Sequence, residues 1–247
     1  MKSLICVLFL ASLLGNVKSQ YVENQTNYHT RFELRQSFNS SDYVYNIDNS
    51  NPGAVGLGGK IFSVSLGNLH SLSGEGISYA LYTLEPCGIS NPHSHPRATE
   101  LIYIVEGSYI DVGFLEEDGG RVINNRISKG QTTIFPQGLI HYIQNNGCEP
   151  SKILVALNSE DPGVISVSPQ SLSFPDIAVA TSYGLTINQI NTLKSRLPKI
   201  PSPGYGNCRL RCNITNSING SNLYKWQAFK YMQLSSVLIA ISLKRVF

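Results

Sequence analysis

The sequence has few charged residues, and this shortage excludes several classes of protein. Charged side chains make up 14% of the 247 residues. They form no basic cluster of the kind that contacts nucleic acid, so no nucleic-acid partner is expected. A glycine-rich stretch at 53–59 lacks the Gly-Lys-Ser/Thr ending of a phosphate-binding loop, because Lys60 is followed by Ile61. We interpret that stretch as a flexible loop before a strand.

The amino terminus predicts secretion. A short basic start is followed by the apolar run Leu4–Leu14, and small side chains stand at Val17 and Ser19. This pattern is typical of a signal peptide over residues 1–19, cleaved before Gln20. The apolar run is shorter than the roughly 20 residues that span a bilayer. We therefore expect an extracellular protein.

Cysteines and glycosylation sequons agree with that compartment. An even number of cysteines in a secreted chain favours disulfide bonds, and the expected mature chain contains Cys87, Cys148, Cys208 and Cys212. Four Asn-x-Ser/Thr sequons predict glycosylation at Asn24, Asn39, Asn213 and Asn219.

Hydrophobic patterning predicts an all-β domain over residues 52–198. Short apolar runs alternate with Gly and Asp turns, which is typical of a sandwich or barrel. The candidate strands are Ile61–Leu66, Ile77–Leu84, Glu100–Val105, Tyr109–Phe114, Thr132–Phe135, His141–Gln144 and Ile153–Ala156. One helix is predicted after them, with Thr186 as N-cap and Pro198 as its stop.

The flanking segments carry weaker signals. Residues 20–51 are polar and are interpreted as an arm that packs on the barrel or on a neighbouring subunit. Residues 199–247 are interpreted as a linker and tail, because 198–206 are rich in Pro and Gly. The tail ends in a short apolar run, Leu234–Leu243, that follows small residues near 219–221. This arrangement is similar to a glycolipid-anchor signal, and the alternative is an amphipathic or disordered extension.

Two stretches contain a candidate metal site. Residues two apart in a strand face the same side, so His93 and His95 project together. Glu100 follows after Pro96, where the chain can turn back, and His141 in a second stretch provides a third imidazole. No thiolate belongs to this set, which disfavours structural zinc. Four such ligands with room for water suit Mn²⁺ or Fe²⁺, but the ligand types alone leave the divalent metal open.

The same stretches resemble the two conserved boxes of germin-like proteins in the cupin superfamily, which also includes the spherulins of slime moulds. The runs are His-x-His-Pro-Arg-Ala-Thr-Glu, from His93 to Glu100, and Pro-x-Gly-x-x-His-x-x-x-Asn, from Pro136 to Asn145. The resemblance implies a double-sheet jelly-roll barrel with a short C-terminal helical segment. It also implies manganese bound by His93, His95, Glu100 and His141. Homo-oligomers, from dimers to hexamers, are expected through the arm and the C-terminal helix.

The jelly roll implied by the resemblance places the two boxes on adjacent antiparallel strands, where facing residues keep a constant index sum. If His93 faces His141, Cys87 lies nearly opposite Cys148. We therefore predict a Cys87–Cys148 disulfide, and Cys208 and Cys212 would then close a small loop in the tail.

The resemblance permits several activities. Oxalate oxidases of this family use an Asn at the position that aligns with Ala80, so oxalate oxidation is disfavoured here. Asn91 lies near the first box, and Asn145 could orient His141 or a bound water. Superoxide dismutation needs fewer substrate contacts and is the favoured activity. A metal-stabilised, non-catalytic extracellular coat glycoprotein is the alternative from another class.

Overall fold

The computed structural model describes residues 30–204 and 206–214. The chain divides into two compact units, residues 1–45 and 46–247. The described part of the first unit contains helix α1 (Arg31–Gln36) and a 3-10 turn at Ser40–Tyr43. Thr30 and Glu33 form a capping box that starts α1. The signal peptide, the Asn24 and Asn219 sequons and the Leu234–Leu243 run lie outside the described residues.

The second unit contains two antiparallel sheets. The first has the order β1-β2-β3-β10-β5-β8, formed by β1 (Ala54–Gly56), β2 (Gly59–Val64), β3 (Ser78–Leu84), β10 (Ser151–Leu157), β5 (Glu100–Glu106) and β8 (Thr132–Phe135). The second has the order β11-β4-β9-β6-β7, formed by β11 (Ile165–Ser166), β4 (Gly88–Ser94), β9 (His141–Asn145), β6 (Tyr109–Leu115) and β7 (Val122–Ser128), and β12 (Ser202–Pro203) pairs with β4.

The core lies between the two sheets. In β3 and β10 every second side chain is buried, as a period of two requires when one face covers the core. Ile102 and Val155 of the first sheet and Val112 and Ile143 of the second belong to one buried cluster. The predicted double-sheet jelly roll is confirmed.

Helices follow the last long strand. They are α2 (Val167–Ser171), α3 (Asp176–Tyr183) and α4 (Ile187–Ser195). The predicted helix is confirmed as α4, where Thr186 and Gln189 form a capping box. Ile190 packs on Val179 of α3 in a second, smaller cluster. The preceding helix α3 was not predicted.

The segment predicted as a linker is part of the folded unit. Ser202 and Pro203 form β12 and pair with Ile89 and Gly88 of β4. Residues 201–204 are buried. A Cβ on Gly204 would clash with the Cys87 carbonyl oxygen, so the two backbones are in direct contact. Composition suggested a linker because Pro and Gly interrupt local structure, whereas long-range contacts order this segment.

The predicted disulfide pairing is wrong. The structure contains Cys87–Cys208 and Cys148–Cys212. His93 does face His141, as expected, but the β4–β9 ladder ends at Ile89 and Gln144. Beyond the ladder both cysteines lie in turns, so the index rule no longer applies to them.

Helix α5 (Asn207–Arg211) and its C-cap Cys212 supply the actual partners of these cysteines. Cys208 and Cys212 are four residues apart and therefore lie on one face of this helical turn. The Sγ atoms of Cys87 and Cys212 are 3.9 Å apart, so the two disulfides are adjacent.

Within the described ranges no helix is long and apolar enough to cross a membrane. Asn39 and Asn213 are both exposed, and their glycosylation stays a prediction.

Candidate metal centre

The four predicted ligands lie together inside the barrel. One candidate donor atom from each of His93, His95, Glu100 and His141 lies within 4.8 Å of the other three. All four side chains are buried, and Glu100 is 0% exposed. His93 and His141 belong to the second sheet and Glu100 to the first, so the cluster connects the two sheets.

Local structure places each side chain. His93 in β4 is the Cα partner of His141, the first residue of β9. His95 follows the end of β4, where its carbonyl accepts the Ala98 N–H at 3.4 Å. This turn leads into β5, whose first residue is Glu100. The short spacing between His95 and Glu100 is therefore the length of one turn between the two sheets.

Backbone carbonyls orient all three imidazole rings. The Nδ1 atoms of His93, His95 and His141 lie 2.8, 2.5 and 2.9 Å from the carbonyl oxygens of Asn91, Gly163 and Leu139. A carbonyl oxygen only accepts, so each Nδ1 carries the proton. Each Nε2 then keeps a lone pair for a metal ion.

Four polar atoms of the cluster are buried without a hydrogen bond. The Nε2 atoms of His95 and His141 and both carboxylate oxygens of Glu100 are buried without a hydrogen-bond partner. Glu100 Oε2 lies 2.8 Å from His95 Nε2 and 3.4 Å from His141 Nε2. Buried polar atoms without partners are costly, and a cation among them would satisfy all four. The donor set therefore fits a divalent metal ion.

The electrostatics of the cluster favour a charged carboxylate. Burial alone would raise the pKa of the Glu100 carboxyl, but the imidazoles of His141 and His95 outweigh it and lower the pKa to about 2. Burial, together with His141, lowers the pKa of His93 to about 4. Burial also lowers the pKa of His95, but the neighbouring Glu100 carboxylate outweighs burial and raises this pKa.

A cavity of about 450 Å³ adjoins the cluster. Its walls include His93 and His95 as well as Ala80. On another side, the ring of Phe135 stacks on His141, with centroids 4.3 Å apart. The cluster is thus packed on one side and adjoins a ligand-sized space on the other.

The two predicted supporting amides have different positions. The prediction that Asn145 orients His141 is wrong, because Leu139 does so and the Asn145 amide donates to the carbonyls of Leu84, Glu85 and Glu149. Asn91 contacts His93, but through its backbone carbonyl.

The sequence reasoning missed the role of Gly163. Its carbonyl holds His95, and a residue 68 positions away along the chain gives no local signal of such a contact.

The fold and the cluster define a jelly-roll protein with a buried site of three imidazoles and one carboxylate. Comparison with known proteins agrees. The cupin family profile matches residues 45–191. Spherulin-1A of Physarum polycephalum is 33% identical over 178 residues, which are 71% of this chain and 72% of that protein. Nectarin-1 of Nicotiana plumbaginifolia is 32% identical over 67% of this chain and 73% of its own length. The chain belongs to the cupin family, among its germin-like and spherulin members.

Solved structures support the fold. An oxalate oxidase structure superposes with a TM-score of 0.59 at 21% identity, over 66% of this chain and 84% of that one. An oxalate decarboxylase structure gives a TM-score of 0.57 at 22% identity, over 65% of this chain and 41% of that one.

Proposed function

We propose that this chain is a secreted manganese-binding germin-like protein with superoxide dismutase activity. One observation carries the metal assignment. Three Nε2 lone pairs, fixed by backbone carbonyls, converge with an unpartnered carboxylate. A nitrogen–oxygen set without thiolates suits manganese or iron, and the family resemblance favours manganese.

The protein's own residues would control access to the ion. A bound manganese ion would supply redox cycling between two oxidation states. Three neutral imidazoles and one carboxylate leave a divalent ion with a net positive charge, which attracts a small anion such as superoxide. His93 and His95 lie on the cavity wall, so a small anion can approach from that side. Phe135 and the surrounding core exclude water from the opposite side.

Elemental analysis of the purified native protein tests the metal. We expect one manganese per chain. In Glu100→Gln we expect manganese affinity to fall at least about 100-fold, because loss of a residue that only supports a metal ligand already lowers metal affinity 10–100-fold. His93→Ala should lose both metal and dismutase activity. The matched control is His70→Ala, because His70 also contacts a backbone carbonyl but is exposed and lies outside the cluster. If the metal-loaded protein does not dismute superoxide, the proposed dismutase activity is excluded.

The alternative is a metal-stabilised coat protein. It is favoured by the position of the cluster, because an ion held by β4, β5 and β9 would join the two sheets and raise stability. A melting temperature that falls sharply on chelation, together with no turnover of superoxide or oxalate, would support this alternative.

We also propose self-association through the outer face of the first sheet. Leu101, Tyr103, Ile134 and Leu154 are 38–52% exposed there. Leu101 is the Cα partner of Ile134, and Tyr103 is the partner of Leu154, so the four form one patch across three strands. Contiguous exposed apolar patches mark interaction sites, and a second copy offers an identical patch for a two-fold interface.

A further inference from the structure

The cavity beside the candidate metal centre is large compared with superoxide. Its volume of about 450 Å³ falls in the range of sites for ring-sized organic molecules. His93 and His95 form part of its wall, whereas Glu100 and His141 are not among its lining residues. A molecule in this space would therefore contact the centre from one side.

The charge of the cavity wall argues against a multiply charged ligand. Among the described residues that line it, none is Lys or Arg. Asp161 is the one acidic lining residue, and its carboxylate is paired with Arg97 at 2.8 Å. Burying an anion without a positive partner is costly. The proposed ion would balance one negative charge beside the imidazoles, but a second charge deeper in the cavity would face no cation.

Apolar and aromatic groups form much of the wall. Ala80 and Leu157 belong to the inner face of the first sheet, and Tyr82 contributes an aromatic ring beside them. Further apolar lining comes from Ala54, Ile61, Val64, Val164 and Ile200. Such a surface favours a flat, mostly apolar body, because its burial releases water from both surfaces.

Apart from Asp161, the polar groups at the wall are neutral. Asn91 Oδ1 accepts the Ser202 N–H at 3.1 Å, which fixes the amide orientation and leaves its NH₂ group as the available donor. Ser63 and Ser166 also line the cavity, and each carries a neutral hydroxyl group. These groups can exchange hydrogen bonds with a ligand hydroxyl without requiring a charge.

We propose that this cavity binds a neutral, ring-sized aromatic alcohol of the phenol class, with its hydroxyl directed toward His93 and His95. The proposal goes beyond dismutation and rests on the proposed metal centre for one wall only. A phenol matches the apolar lining with its ring and the neutral donors with its oxygen. A dicarboxylate such as oxalate would leave most of the space unfilled and one charge unbalanced.

Calorimetric titration of the manganese-loaded full mature chain tests the ligand class. The probes are para-cresol, which is neutral at neutral pH, and two dianions: terephthalate, which has the same flat ring, and oxalate. We expect para-cresol to bind one per chain, at least ~10-fold more tightly than terephthalate, a difference of about 1.4 kcal/mol. Equal or tighter binding of either anion, or no binding of para-cresol, overturns the proposal.

Two variants, in each of which an alanine is replaced by leucine, test the location of the ligand. Ala80→Leu fills the cavity from the inner face of β3, and we expect it to weaken para-cresol binding at least ~10-fold. Ala156→Leu adds the same side chain to the exposed outer face of the same sheet and should leave para-cresol binding unchanged. Equal effects of the two variants on para-cresol binding would refute the assigned cavity.

Metal content is measured for every sample, so the two proposals fail separately. A chain that contains metal but prefers the anions refutes the ligand class and leaves the metal centre intact. A chain without metal refutes the metal centre, and the ratio of para-cresol to terephthalate affinity on that same sample still decides the ligand class.

Discussion

At the scale of single residues, proton chemistry at the cluster makes metal binding depend on pH. Burial lowers the pKa of His95, but the neighbouring Glu100 carboxylate outweighs burial and raises this pKa, so protons compete more strongly for this imidazole. A metal ligand must release its proton. Metal affinity should therefore rise with pH through the pKa of His95 and fall on acidification, since protons compete with the ion.

Calorimetry in buffers with different heats of ionisation measures this coupling. We expect more protons to be released per Mn²⁺ bound at pH 6 than at pH 9. A proton release that stays the same at both pH values would contradict the competition between protons and the ion at His95.

Asn145 is predicted to act on stability rather than on the metal. It is 0% exposed and its amide donates to three backbone carbonyls, which would lose their donor in Asn145→Ala. We expect a loss of ~3 kcal/mol in the free energy of unfolding, measured with urea, because buried unpaired polar groups cost 1–3 kcal/mol each.

The exposed Asn125→Ala in β7 provides the control and should change stability little. Metal content of the Asn145 variant should stay at the wild-type level. Loss of metal without loss of stability would instead support the predicted role of Asn145 in orienting His141 or a bound water.

At the scale of elements, helix α5 and its C-cap Cys212 are linked to the ends of β4 and β9 through Cys87–Cys208 and Cys148–Cys212. Removing Cys148 and Cys212 together by serine substitution should leave one disulfide and no free thiol among the remaining cysteines of the mature chain. We expect a loss of about 2–4 kcal/mol, as is typical for a native disulfide.

The matched comparison is Cys87→Ser with Cys148→Ser, which removes one partner from each bond. That variant should show two free thiols with a thiol reagent under denaturing conditions. Zero free thiols there and two in the Cys148 and Cys212 variant would support the pairing that the sequence suggested.

At the scale of the whole molecule, association through the first sheet has a direct test. Leu101→Lys places a charge in the middle of the apolar patch, and burying an unpaired charge is unfavourable. We expect the molecular mass from light scattering to fall toward that of a monomer, with metal content unchanged.

Val122→Lys is the control, because Val122 is 63% exposed and belongs to β7 of the other sheet. If the mass of Leu101→Lys stays that of the wild type, the patch is not the interface.

The sequence by itself determined the features that depend on local order. The period of two predicted the strands, and the capping residues predicted α4, because these signals lie within a few residues of one another. The two boxes indicated the four candidate ligands, since His93 and His95 are two residues apart and Glu100 follows one turn later. The family resemblance supplied the jelly-roll topology.

Only the tertiary structure decided the contacts between distant segments. The pairing of the cysteines, the order in β12, the Gly163 carbonyl that holds His95 and the charge of the cavity wall all join residues far apart in the chain. Local patterns do not encode which distant segments meet. Contacts between distant segments form when the two sheets pack around one core, and this packing depends on the whole domain.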